Sequence, residues 1–279
     1  MSDHVVAMTS ALDEATPLTA PAVARESSSQ LWRRGIALVV VFWWVATGMI
    51  IAMQRSGVTR GAAFVLATGL AFLGWREIRI SRDDASPLGV RRSFLGGALL
   101  WGWISVLFYG GLLTGIVPAD VAAAAPSWSA VPAAIGATLW SDLACIALML
   151  ATVIGTRGAV NRTGMWSLVI FWAVQQVAKL NVFFGVENPA ANFLPPHLSY
   201  LGRFFGPPAN SLFLALSIAA VSVCTLVVAW RARAATANGA RQAMVLYATI
   251  LALAVLELMV LGIPLETTPW DSFLKVRGG

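Results

Sequence analysis

The chain is poor in the residues that hold metals and haems. Its 279 residues include two histidines, His4 and His197, and two cysteines, Cys145 and Cys224. His4 lies in a polar N-terminal segment and His197 between two apolar runs, so no apolar run long enough to cross a bilayer contains a histidine. Membrane haems of the b type and most helix-bound chlorophylls take a histidine from inside such a helix, and the pattern argues against both. Zinc and di-iron sites need several His, Cys or carboxylate ligands at set spacings, and none is present. Both cysteines sit in apolar runs without a C-x-x-C partner and are expected to be buried thiols. No metal site is expected. Catalytic signatures are missing too: there is no HExxH, no GxSxG, no phosphate-binding glycine loop and no Ser/His/Asp set. The sequence therefore points away from an enzyme.

Charge is also scarce. Charged residues make up 11% of the chain, against about 25% in a soluble domain. Hydrophobic residues make up 58%, and the mean hydropathy is +0.76. This is the composition of an all-α, polytopic membrane protein whose main partner is the lipid bilayer. The net charge of +6 does not point to nucleic acid, because the basic residues are scattered at the ends of apolar runs.

Seven apolar runs are candidate spans: 35–53, 61–75, 94–117, 131–154, 164–184, 211–230 and 243–263. A spanning helix needs about 20 apolar residues, so the second is short. Residues 1–30 are expected to form a disordered cytoplasmic tail, 31–265 the helix bundle, and 266–279 a short periplasmic tail. With seven spans, thirteen basic residues fall on the N-terminal side and five on the other. The positive-inside rule then puts the N-terminus in the cytoplasm and the C-terminus outside. The third run is rich in glycine, and Gly102, Trp103, Gly111 and Gly115 are expected at helix–helix contacts.

Three ionisable residues fall inside the runs: Asp142, Lys179 and Glu257. Each costs about 2.5–3.5 kcal/mol on insertion scales and so needs a partner or a purpose. Counted from the outer ends of their runs, all three lie in the outer half, within about 8 Å of one another in depth. One reading is a structural ion pair that locks helices together. A second is a polar pocket for a substrate, a proton or a pigment head group. A third is snorkelling of Lys179 and Glu257 to the interface. Gln175, Gln176 and Asn181 add amides to the fifth span, either as interhelical hydrogen bonds or as a polar cavity lining.

After Gly185 the chain turns at Glu187-Asn188-Pro189 and then reads PPHLSYLGRFF. Leu194, Leu198, Leu201 and Phe205 recur at helical spacing, with His197, Ser199 and Arg203 on the other side. Pro195 and Pro196 suit a helix start. This predicts a short interfacial helix on the outer surface, with His197 turned to solvent.

The stretches VAKLNVFFGVEN (177–188) and NFLPPHLSYLGRFF (192–205) resemble the PuhE family, photosynthetic complex assembly proteins of phototrophic proteobacteria. The run LLWGWISVLFYGGLLTG (99–115) is similar to that family's second signature. The likeness extends more loosely from about residue 35 to 263. The chain departs from the pattern at Ile104 and at Gln175-Gln176. The resemblance implies an inner (intracytoplasmic) membrane protein that helps assemble the reaction centre and its core antenna, or supplies bacteriochlorophyll to them. It implies transient reaction-centre or antenna polypeptides as partners and no resident cofactor, with bacteriochlorophyll at most a passing ligand. A membrane carrier or transporter built on Asp142, Lys179 and Glu257 is the alternative.

Overall fold

The computed structural model describes residues 26–115, 131–264 and 271–278, and every regular element among them is helical. Residues 1–25, 116–130, 265–270 and 279 lie outside the described residues, and with them most of the expected cytoplasmic tail and part of the expected periplasmic tail. The first helix, α1 (Ser28–Ala52), starts seven residues ahead of the expected span. Ser27 caps it: its hydroxyl accepts from the Gln30 N–H, and the Gln30 side chain accepts from the Ser27 N–H. Two orphan donors are thereby satisfied. α2 (Gly57–Ile80) begins with the same device between Ser56 and Thr59. It is 24 residues long, because the polar Arg76-Glu77-Arg79 end is helical as well. α3 (Pro87–Tyr109) opens with Ser86 as cap and Pro87 in its first turn, where a missing N–H costs nothing.

The fourth run is broken. α4 (Val131–Ala137) and α5 (Leu139–Gly155) meet at Thr138 with a bend of 73°. α6 (Thr163–Phe184) ends at Gly185, whose φ of 113° is open to glycine and strained for other residues. A 3₁₀ helix, Pro196–Phe204, stands where an α-helix was expected. α7 (Leu212–Ala234), α8 (Asn238–Leu261) and the short α9 (Asp271–Arg277) complete the order.

Five helices, α1, α2, α6, α7 and α8, are each long and apolar enough to cross a membrane, and the bent pair α4–α5 makes a sixth if it counts as one crossing. α3 is not among them, although it has 23 residues. It packs against α2, α6 and α8 and is buried along much of its length. A helix that meets protein instead of lipid needs small residues for close approach more than it needs apolar bulk. Gly96 lies against the backbone of Gly74 on α2, and Gly97 against that of Gly164 on α6. At either glycine an added Cβ would collide with a carbonyl oxygen. Phe94, Val39, Phe171 and Leu246 form the core between α1, α3, α6 and α8.

The helix ends sort into two faces. On one, Arg91 reaches Glu26 through two bonds of 2.9 and 3.0 Å, and Gln242 at 3.2 Å. Arg34 also pairs with Glu26. The Asn161 amide donates to the carbonyls of Ser81 and Asp84, and Arg82 to that of Arg157. This basic face gathers the starts of α1, α3, α6 and α8. The Arg91 hydrogen bond, with help from the Arg34 charge, holds the Glu26 carboxyl below its ordinary pKa. The opposite face carries the loop at 185–211, and we call it the loop face.

Candidate functional site

Between α1, α3, α6 and α8, toward the loop face, lies a cavity of about 770 Å³. That is within the range of small-molecule sites, roughly 300–1,000 Å³. Two of its walls are single stripes of a helix. α8 contributes Ile250, Ala254, Glu257 and Leu261, and α3 contributes Trp101, Ser105 and Phe108. Both sets recur at three or four residues, the spacing of a single helix face. The bent pair α4–α5 closes one side, and Phe193, Leu194, Leu201 and Phe204 of the loop face roof it.

The polar side of the cavity is an ion pair. Lys179 Nζ donates to Asp142 Oδ1 at 2.9 Å, to Oδ2 at 3.1 Å, and to Thr138 Oγ1 at 3.2 Å. Gln176 donates to Asp142 Oδ1 at 2.7 Å, and Thr138 to Oδ2 at 2.9 Å. The break at Thr138 explains why this carboxylate is tolerated. Asp142 sits in the first turn of α5, where the helix dipole and free N–H groups favour a negative charge. It is not ten residues deep in a continuous span, as the apolar run 131–154 predicts.

Glu257 does not join the pair. It is exposed on the α8 stripe and lines the same cavity, but makes no hydrogen bond or ion pair among the described residues. Similar depth places the three at one height, yet it fixes height only and not direction around the bundle. Gln175 also lines the cavity and accepts from the Trp101 indole at 3.4 Å. Trp101 in turn stacks on Phe171, with ring centroids 4.9 Å apart. Asn181 does not line it. Its amide is buried against α7, donating to Ser217 at 3.0 Å and to the Val177 carbonyl. Two residues beyond Lys179, it points to the far side of α6.

The loop residues hold the roof. The Asn188 N–H donates to the Leu261 carbonyl at 2.9 Å, and its side chain to that of Val260. Pro195 is buried and Pro196 opens the 3₁₀ helix. Leu198 and Leu201 pack on Phe108 and Ala137. His197 is not turned to solvent. Its Nε2 meets the Tyr109 carbonyl at 2.8 Å and its Nδ1 the Arg60 guanidinium at 3.1 Å. A carbonyl and a guanidinium together require hydrogen on Nε2 and a lone pair on Nδ1. Arg203 is exposed. Arg277 of α9 adds a further tie, to the carbonyls of Asn192 and Phe193, which no pattern in the chain signals.

The glycines expected at contacts divide. Nothing lies within 4 Å of a Cβ added at Gly102. α3 ends at Tyr109, so Gly111 and Gly115 lie outside it: Gly111 makes a turn with φ of 83°, and Gly115 packs on Gly136 of α4. Trp103 does make a helix contact, donating to Thr68 of α2 at 3.1 Å. Cys145 is buried, but Cys224 is exposed on the outer side of α7. Among the described residues no group of His, Cys, Asp or Glu is arranged to hold a metal.

The family model described as "Protein of unknown function (DUF3623)" matches residues 30–277. The chain belongs to this family. It is also 30% identical over 238 residues to a protein of Rhodobacter capsulatus, covering 82% of this chain and 86% of the relative. That relative is described as an uncharacterized 30.4 kDa protein in the puhA 5′ region. No solved structure matches the chain.

Proposed function

We propose that this protein is an inner-membrane assembly factor for the photosynthetic reaction centre and its core antenna, acting on their polypeptides or on their supply of bacteriochlorophyll. The observation that carries this reading is the relative in the puhA 5′ region, which links the family to photosynthesis genes. The likeness of residues 177–188 and 192–205 to photosynthetic assembly proteins supports it. In this reading α3 and the bent pair both cross, giving seven spans with the N-terminus cytoplasmic and the C-terminus periplasmic. The gathering of arginines on one face supports that orientation. The protein needs no resident cofactor and no catalytic group; it meets its partners transiently through helix surfaces and the loop face.

Purification of the tagged protein from a phototrophic host in mild detergent tests the reading. Reaction-centre or antenna polypeptides in the eluate, without stoichiometric pigment, are the expected result. An eluate with no such partner, together with normal assembly of the complexes in a strain that lacks the gene, would sink it. The ion pair on the cavity wall favours a second reading, a membrane carrier. That reading predicts bound pigment or substrate, and loss of function in K179M although the protein still accumulates.

A further inference from the structure

The wall of the cavity has groups to spare, and they are not the ones that look most reactive. Each ammonium proton of Lys179 already has an oxygen, two from Asp142 and one from Thr138. Asp142 in turn receives Lys179, Gln176 and Thr138. The pair is neutral as a unit and saturated, so it has little left for a ligand. Among the described residues lining the cavity, the charged ones are Asp142, Lys179 and Glu257, which leaves Glu257 as the uncompensated charge. Glu257 shares its face with Ile250, Ala254 and Leu261, so its carboxyl belongs to the cavity wall and not to the lipid side of α8. A wall donor is also idle: the indole N–H of Trp172 is buried with no acceptor. The rest of the wall is mostly apolar, with uncharged polar groups such as Thr47, Ser105, Gln175 and Gln176, and is rich in aromatic rings, Trp43, Trp101, Phe108 and Phe171 among them.

We propose that the cavity binds an amphiphile with a long apolar body and a hydrogen-bond-donating, non-anionic head group, ammonium or hydroxyl, seated at Glu257. The reasons are charge and accounting of donors. An anionic head would meet a like charge at Glu257 and find Lys179 already taken. A donor head gives Glu257 the partner it lacks, in surroundings where an unpaired carboxylate is costly. The apolar body fills the stripe walls, and an ester or carbonyl oxygen on it meets the Trp172 N–H. This ligand class is independent of whether the protein's partners are photosynthetic. Its source is either a membrane lipid with an amine or hydroxyl head, or a hydroxyl-bearing pigment or isoprenoid.

The test uses the full-length protein in mild detergent and native mass spectrometry with three probes of equal chain length: hexadecylamine, hexadecanol and hexadecanoate. The amine and the alcohol are expected to bind one per chain, at least ten-fold tighter than the carboxylate. E257Q should erase most of the preference for the amine over the carboxylate while the alcohol still binds. A178L, which narrows the α6 wall, should weaken the amine and the alcohol together. If A178L fails to fold, the E257Q preference decides alone. Equal binding of the three probes, preference for the carboxylate, or no binding at all would overturn the proposal. The organic extract of the untreated protein distinguishes the sources: an aminolipid or a hydroxylated isoprenoid or pigment supports the proposal, and a stoichiometric anionic amphiphile overturns it.

Discussion

Lys179 is a lysine whose every proton is spoken for, and its carboxylate partner is held from three sides. The side chains of Lys179 and Asp142 are only 26% and 15% exposed, so removing one charge strands the other. K179M or D142N alone should therefore cost about 3 kcal/mol, at the low end for a broken buried pair. The double variant D142L/K179M should recover most of that loss. Denaturation midpoints of the three variants in one detergent check this, and a double variant as weak as the singles would count against it. A second charge is legible on the basic face. The Glu26 carboxyl titrates below its ordinary 4.5, so its contribution to stability is fully present above 4.5 and is lost as pH falls through the lower folded value. E26Q should flatten that acid limb of the stability curve, measured by the same denaturation. Asp142 and Lys179 could be picked out of the sequence because charge in an apolar run is conspicuous. Their separation from Glu257 could not, since a sequence gives height along each helix but not azimuth.

At the scale of the helices, glycine content alone is a poor guide and glycine contacts a good one. Gly97 faces the Gly164 backbone and Gly102 faces open space. G97A should lose about 1–3 kcal/mol through overpacking. G102A should be neutral or gain up to about 1 kcal/mol from the better helix propensity of alanine. Thermal denaturation of the pair separates the two, and equal losses would mean that α3 is packed differently. The bend at Thr138 was hidden for a related reason. Val131 to Gly155 reads as one apolar run with Asp142 as its single charge, and Pro132 lies too early to mark the break. Pro196–Phe204 is helical where the pattern places a helix but of the 3₁₀ type, because the same leucines satisfy both periods over one or two turns.

For the whole molecule, the arginines told most of the story. Arg82 and Arg91 tie the ends of different helices together on one face, and Arg34 pairs with the same Glu26 that Arg91 holds. That shared face follows from charge placement in the sequence. The roof did not, because its ties come from segments far apart: Asn188 with α8, His197 with Arg60, Arg277 with Phe193. An odd number of crossings puts the two ends of the chain on opposite sides. Alkaline phosphatase fused after Gly279 should therefore be active in the periplasm, and the same enzyme inserted after Ala235 should be inactive. An inactive C-terminal fusion would remove one crossing from the proposed seven.

The burial of α3 among α2, α6 and α8 also bears on how the chain is made. A segment whose apolar content is modest and whose glycines need neighbours is a poor candidate for leaving the translocon by itself. α2 emerges just before it and supplies the Gly74 contact, so in the proposed seven-span arrangement the two should partition into lipid as one hairpin. Gly164 arrives only when α6 is synthesised, some 50 residues later by the numbering. Until then α3 has one unmatched flank, and the nascent protein itself has a period when it needs shelter from other hydrophobic chains.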